Sequence, residues 1–505
     1  MRNRARTFST LTGSGLYMKL DRRKRSAVLL RLSSLTGLSA MLLSCSHGYS
    51  QVLPPGVQSG QRALSGSSAT VNKFRVRGYL YELHPDGRGG VWIASNAQNT
   101  TTILPNESLD PSQCFPLGTC GHSPAWMTHV PASGGVNVRK VAEDSGLSGF
   151  AVVSSGAIYF TDEFKSEVGV LAPNGDISRY PTPTANSYPV DPVAGPKGVW
   201  FAEGGGDFWF APKSEAIGKI SSSGHIVERR IPRMFPGAAG AGADYLQNDG
   251  HGGLWFVGTL HLLVCAPRPC FPFIGHLSAG GLMTRRTVKF NPIWPVSDVD
   301  GLWSGGIYQT DINGATLSLI GINGAVKRFP IMNFSGVAPI GRIDGQLWAM
   351  TELPFSLLVA TPAGVTSIVP SLPGIGVNDD VSATVGGGAV WIVDNSTNPT
   401  LVFRYDPQTN TYETATVKGL SGCLYLGNLQ PVPAFSGESL WGFGCTSGSN
   451  HGYAWRVSFP TSHSRALSAH ELTSSAPRSR EALENPITGM APEADQGHTY
   501  KGRRV

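Results

Sequence analysis

The decapeptide "NDGHGGLWFV" (248–257) runs a glycine-rich turn straight into Leu-Trp-Phe-Val. Glycine takes positive φ without steric penalty and so permits a tight reversal between two strands. Trp, Phe and Val favour a pleated surface. The arrangement recurs as "PDGRGGVWIAS" around Trp92, "VSSGAIYFTDE" around Tyr159, "GPKGVWFAE" at Trp200 and "DVDGLWSGG" at Trp303. "RIDGQLWAM" at Trp348, "GGGAVWIVD" at Trp391 and "FSGESLWGF" at Trp441 complete the set. From Tyr159 onward, with Trp255 included, the aromatics are spaced by 41, 55, 48, 45, 43 and 50 residues. The first gap, 67, contains a cysteine-bearing loop. A period of this size marks a repeat array.

Each unit carries a second hairpin signal: "PASGGVNVRK" (131–140), "APNGDISRY" (172–180), "SSSGHIVER" (221–229), "SAGGLMTRR" (278–286), "GINGAVKRF" (321–329) and "TPAGVTSIV" (361–369). Two hairpins make four strands, the content of one propeller blade. The eighth unit has "LWGFGC" and "YAWRVSF" but lacks a second glycine turn, while "KFRVR" (73–77) is a strand-like run without a unit of its own. Pairing the two closes the ring and removes exposed edges. The chain therefore reads as all-β: a single propeller of four-stranded blades over 73–460, eight in number with seven the alternative. The recurring aromatic is expected to pack between neighbouring blades.

The formal charge of +6 comes from one end. Residues 1–31 hold nine Lys/Arg and one Asp, and the remainder holds 31 basic and 33 acidic residues. This balance gives no support for nucleic-acid binding. The basic start, the apolar run and Leu42-Leu43-Ser44-Cys45 have the layout of a signal peptide, with Met18 an alternative start. Leu-x-Ser-Cys resembles the bacterial lipobox, which implies cleavage before Cys45, lipid on its sulfur and a cell-envelope location, with the membrane reached through the anchor alone. Residues 46–72 are expected to be a tether and 461–505 a disordered polar tail. Six further cysteines in an exported chain point to disulfides. Their order proposes Cys114–Cys120, Cys265–Cys270 and Cys423–Cys445.

Units such as "GVWFAEGGG…AIGKISSSGHIVERRIP" (198–232) resemble the repeats of the streptogramin B lyase family, and "EVGVLAPNGDISRYPTPT" (167–184) and "FIGHLSAGG" (273–281) do so in part. The resemblance implies a β-propeller, usually seven-bladed. Enzymes of that family open a cyclic depsipeptide by elimination, with a histidine base, acidic residues and magnesium. Their histidines stand about ten residues before the Trp. The corresponding places here hold Tyr79, Gly149, Val190, Asp244, Val296, Ala338, Val381 and Val432, none of them histidine. The family also has a glutamate four residues after one Trp. Glu352 has that spacing from Trp348, and Glu203 sits one residue closer to Trp200.

In a four-strand blade, the link from second to third strand returns to the face at which the chain enters. The insertions at 96–125, 204–215 and 258–273 all occupy that link, so they should crowd one face. The expected recognition surface has Phe208, Trp209, Phe271 and Phe273 as an apolar wall, with Glu203, Asp244 and Glu352 as polar contacts. Three functions follow: a non-catalytic monomeric propeller binding a protein or small molecule at its mouth without a cofactor; a magnesium-dependent lyase; or a structural envelope component.

Overall fold

The computed structural model describes residues 62–63 and 69–460, except the connections 97–122, 204–215, 233–239, 262–271, 309–313, 352–354, 370–374, 376–380, 395–398, 419–433 and 446–450 and a few isolated positions. Its strands form eight four-stranded antiparallel sheets arranged in a ring, with no helix among the described residues. Blades 1–7 span 79–145, 147–181, 190–230, 240–287, 290–332, 337–369 and 381–417. Their strands run in chain order from the inner to the outer edge. First strands of successive blades lie side by side round the whole circuit, that of blade 8 meeting that of blade 1. The eight-blade reading is thus the observed one.

Closure follows the expected route. Thr70–Arg77 pairs antiparallel with His451–Ser458, from Thr70 opposite Ser458 to Arg77 opposite His451, and becomes the outer strand of blade 8. The strand starts three residues earlier than "KFRVR", because Thr70, Val71 and Asn72 continue the same ladder. The expected tether also contributes. Arg62 and Ala63 lie parallel to Thr411 and Tyr412 and give blade 7 a fifth strand.

The glycine turn before the Trp does two separate jobs. In "NDGHGG", Gly250 and Gly252 have φ of 73° and 87°, which a side chain rarely adopts. Gly253 is there for space: a Cβ would stand 2.3 Å from an Asp249 carboxylate oxygen and 2.5 Å from the Leu277 carbonyl. Asp249 accepts hydrogen bonds from the amides of His251 and Gly253, each at 2.8 Å, and from His276 Nε2 at 2.9 Å. The His276 ring in turn lies 4.4 Å from the Trp255 ring. Blade 1 repeats the unit. Asp86 accepts from the amides of Arg88 and Gly90 and from His129, and His129 stacks on Trp92 at 4.4 Å. The turn therefore delivers a tryptophan because its aspartate holds the histidine that covers the ring.

The partner across from the aromatic follows a rule. It is basic in five blades: His129, Lys219, His276, Arg404 and Arg456. Elsewhere it is Val170, Leu319 or Val359. Lys219 Nζ sits 4.2 Å from the Trp200 ring centre, close enough for a cation–π attraction. The cores lie between blades. Trp200, Ala202 and Ile217 of blade 3 pack with Leu246, Leu254, Phe256 and Leu277 of blade 4.

The glycine in "AIGKI" (216–220), "EVGVL" (167–171) and "FIGHL" (273–277) has an equally local cause. Phe201 lies opposite Gly218, Phe160 opposite Gly169 and Phe256 opposite Gly275. A Cβ on any of the three glycines would meet the ring at 2.0–2.2 Å. Blade 8 swaps the pair, with Gly442 under Trp455. Gly218→Ala should therefore destabilise the protein by about 1–3 kcal/mol through overpacking, and Phe201→Leu should recover part of that loss in the double variant. Urea unfolding of the three proteins checks this; a Gly218→Ala variant as stable as the parent would refute the packing argument.

Candidate functional site

The two faces of the ring differ. On one, the links are short glycine or Asx turns, the longest being 131–136. On the other, the strand ends are separated in sequence by 97–122, 204–215, 262–271 and 418–433. The first strands are not regular. The ladder slips between Leu80 and Glu82, Leu147 and Gly149, Val190 and Val193, Asp244 and Gln247, Ile293 and Val296, and Pro339 and Gly341. Six blades thus carry an irregularity in the first strand, beside the aromatic in blades 3–6 and beyond it in blades 1 and 2, and bulges re-aim side chains where a strand meets a site.

Blades 2, 3 and 4 concentrate the strain. Asn186 and Tyr188 in the connection from blade 2 to blade 3, Asp191 in the blade 3 bulge and Tyr245 in the blade 4 bulge all have φ between 48° and 57°. Each such residue costs about 1–3 kcal/mol and persists only where its surroundings hold it. The holding contacts are visible. Asp191 Oδ2 accepts from the Tyr245 amide at 3.2 Å, Ser148 Oγ donates to the Pro189 carbonyl at 2.9 Å, and Glu82 Oε2 accepts from the Phe150 amide at 2.9 Å. These bonds run from blade to blade where no backbone ladder does.

Acids gather at this rim. Asp162 and Glu203 end the second strands of blades 2 and 3, Ile158–Asp162 and Gly198–Glu203, and both are fully buried. Arg179 stands 3.7 Å from Asp162 and also pairs with Glu167. Burial, then the charges of Asp162 and Asp191, push the half-buried Glu163 up to about 7. Burial and then Glu228 push Glu203 up to about 8. Neither Glu203 oxygen has a hydrogen bond of ordinary geometry; Glu228 and the Ser187 hydroxyl are the polar groups near enough to act on it. Burial and Glu163 also raise the Tyr188 phenol. The rim thus holds carboxyls that keep their protons near neutrality, able to donate as well as accept.

Of the residues expected from the sequence, Glu203 is at this rim but sealed beneath it. Asp244 lies at the blade 4 bulge, next to Tyr245, where only its backbone is described. Phe273, expected on the apolar wall, is instead fully buried between blades, edge-on to Phe256 at 6.1 Å and under Arg285. It directly follows Pro272 at the start of a third strand, where alternation turns it inward. Phe208, Trp209, Phe271, Glu352, Cys45, Cys114, Cys120, Cys265, Cys270 and Cys423 lie outside the described residues. For Cys445 only the strand backbone is described. Glu163, Asp191, Tyr188 and Glu228 were not anticipated. Glu163 had a signal: it follows Tyr159, the aromatic of the second unit, by four residues, as Glu352 follows Trp348. Among the described residues, no group of three His, Cys, Asp or Glu is placed to hold a metal ion.

No protein-family model matches the sequence, and no curated protein matches it. Among solved structures, the chain is similar to a streptogramin B lyase, with 18% identity and a TM-score of 0.41 over 64% of this chain and 94% of the other. It is similar also to the virginiamycin B lyase of Staphylococcus aureus, with 15% identity and a TM-score of 0.42 over 77% and 99%. A gluconolactonase of Xanthomonas campestris matches with 12% identity and a TM-score of 0.30 over 63% and 86%. At such identities the likeness is one of fold.

The raised acids fix the sign of the pH dependence. A carboxyl that holds its proton more tightly folded than unfolded stabilises less as pH climbs from its ordinary value of 4.5 to its folded value, about 7 for Glu163 and about 8 for Glu203. Stability should fall by up to about 1.4 kcal/mol per pH unit for each group inside its window, less for the solvent-touched Glu163. Melting temperature recorded from pH 5 to 8.5 should therefore decline, and the Glu163→Gln/Glu203→Gln double variant should flatten the curve. A parent curve that rises over this range contradicts the assignment.

Proposed function

We propose that the protein is an exported, lipid-anchored β-propeller that binds a ligand or partner on its loop-rich face and does not work through the histidine chemistry of the lyases it resembles. The observation that carries this reading is the asymmetry of the ring. The long connections leave from one face, directly above strained backbone and proton-holding acids, while the other face has only short turns. A rigid ring that presents variable loops from one rim is pre-organised for recognition. Phe208, Trp209 and Phe271 are assigned to the apolar part of that surface; the link 204–215 begins immediately after Glu203. Glu163, Tyr188 and Asp191 supply the polar part. Cys45 is the anchor, and the three cysteine pairs tie the loops.

A lyase is the second reading, and one observation favours it. Glu163, held at about 7, can take and return a proton near neutral pH, as a general base must. Magnesium, which that reading requires, has no ready site among the described residues.

Two measurements separate the readings. Incubated with a streptogramin B-type cyclic depsipeptide and magnesium, the protein should leave the ring closed by mass spectrometry; a linear product lost on adding chelator and in Glu163→Gln would establish the lyase. Trp209→Ala should weaken binding of a retained envelope ligand by roughly tenfold or more, as for an aromatic anchor, and leave the melting temperature within about 1 °C, as for a surface change. Unchanged binding with a large loss of stability would make Trp209 a packing residue. The mature protein should begin at a lipidated Cys45, which intact-mass analysis of the membrane fraction reads directly.

A further inference from the structure

Among the described residues, six large hydrophobic side chains are exposed: Val136, Val138, Ile177, Val227, Leu282 and Ile322. Single exposed aliphatics are ordinary on a protein surface; their placement here is not. All six fall in the turn from third to fourth strand, or in the first residues of the fourth strand, and they do so in five consecutive blades, 1–5. Leu282 and Ile322, on neighbouring blades, are the most open, at 69% and 59%.

The hairpin segments that carry them, 131–140, 172–180, 221–229, 278–286 and 321–329, hold eight Lys/Arg and two acids, Asp176 and Glu228. Glu228 is engaged by Thr184. The cations reach from blade to blade. A Cβ on Gly281 would stand 2.8 Å from the Arg229 guanidinium carbon, so Arg229 of blade 3 lies against the turn that presents Leu282. Arg286 of blade 4 donates to the Gly324 carbonyl, in the turn that presents Ile322. A Cβ on Gly175 would stand 3.4 Å from Arg139 Nη2, two residues from Ile177. Arg456 of blade 8 donates to the Ala132 carbonyl, in the turn that leads to Val136. At blade 3, Tyr180 of blade 2 takes the place of the cation, over Gly224. Four turns thus set an exposed aliphatic beside a cation from the preceding blade. Blades 6 and 7 lack both: 361–369 and 406–417 have no Lys or Arg and, among the described residues, no exposed large hydrophobic.

We propose that this arc, on the short-turn face and outer edge of blades 1–5, rests on the surface of an anionic phospholipid bilayer. Sparse aliphatics set among cations suit a fluid interface, which takes apolar side chains one at a time while its headgroups meet the charges. A protein partner calls for a contiguous centre of anchors, and a nucleic acid for exposed aromatics on which bases stack; the described residues of the arc offer neither. The chain also joins the ring on this side. Arg62 lies opposite Thr411, the first residue of the blade 7 outer strand and so at its short-turn end. A ring lying this way turns its loop-rich face away from the membrane. The contact adds to the anchor at Cys45 without depending on it, or on what the loop-rich face binds.

Hydrogen exchange measured by mass spectrometry on the full-length protein carrying Cys45→Ser tests this, with vesicles of phosphatidylcholine alone or mixed equally with phosphatidylglycerol. The readout is positional, because the basic residues 1–31 draw the chain to anionic vesicles in any case. The mixed vesicles should slow exchange several-fold in 131–140, 278–286 and 321–329 and leave 361–369 and 406–412 unchanged. Phosphatidylcholine alone should slow none of them, and added salt should abolish the effect. Leu282→Ser combined with Ile322→Ser, both at exposed positions that the fold tolerates, should lose the slowing at those two hairpins. Arg328→Gln should raise the vesicle concentration for half-maximal slowing by roughly fivefold, as for one cation near a charged surface. Exchange unaffected by anionic vesicles, or slowed equally in blades 6 and 7, overturns the proposal, as does a Leu282→Ser/Ile322→Ser variant that behaves as the parent. Slowing by double-stranded DNA as great as that by vesicles would make the arc a general polyanion site and overturn its assignment to lipid.

Discussion

Among the described residues, no backbone ladder runs directly from one blade to the next: each sheet ends at its own edges, and the inner strands only lie beside one another. Apart from the N-terminal segment, which pairs with blades 7 and 8, the blades are joined chiefly by side chains. Most of that contact is the burial of one large aromatic per blade, backed by aliphatic neighbours from the next sheet. Aromatics of this size remove 150–250 Å² of surface each, and their position must be fixed for neighbouring sheets to fit. The fixing is local. An aspartate in the turn, a histidine or cation across the strand, and a glycine beneath the following phenylalanine leave the rings one place to lie. Where the wedge is weakest, at the inner rim, single side-chain-to-backbone bonds take over, and there the backbone is strained and the acids collect.

The fold was legible because its cause is short-range. The turn, the Trp, the Phe and the Gly that accommodates it fall within three consecutive strands of one blade, so their period appears in the sequence without knowledge of any contact between blades. The site was not, for the opposite reason. Glu203 and Glu228 meet across a blade, Glu163 and Asp191 across two, and nothing in the spacing marks them as neighbours. The histidines show the same limit. His129 and His276 are each bonded to an aspartate 43 or 27 positions away, a separation that no local pattern marks. Phe273 read as a loop aromatic because a cysteine-rich link precedes it, but strand alternation decides its direction. Asp191 and Tyr245 could not be expected to be left-handed, since their φ is imposed by the bulge and by bonds from adjoining blades.

The near-zero charge of the chain beyond its basic start conceals a radial separation. Outer strands carry exposed cations, among them Arg139, Lys140, Arg229, Arg230, Lys327 and Arg328. The carboxyls Asp162, Glu163 and Glu203 stand near the inner rim. The outer cations blunt strand edges that would otherwise invite pairing. Blade 7, whose outer strand Thr411–Val417 has no Lys or Arg, is covered by Arg62–Ala63, whereas the outer strand of blade 6, Gly364–Val369, likewise without Lys or Arg, has no described strand beyond it. The inner acids, crowded and dry, answer the same electrostatics by keeping protons.

The strand that completes blade 8 is the first of the propeller to be made and the last to find its place. Thr70–Arg77 must wait for His451–Ser458, so seven blades and most of an eighth can stack before the circuit shuts. Until then two blade flanks, each lined with aromatic side chains, face water. The ring therefore cannot close before the C-terminal residues are delivered. A chain truncated by its last ten strand residues would lose far more than one hairpin, because its N-terminal strand would have nothing to fasten and the ring would remain an arc.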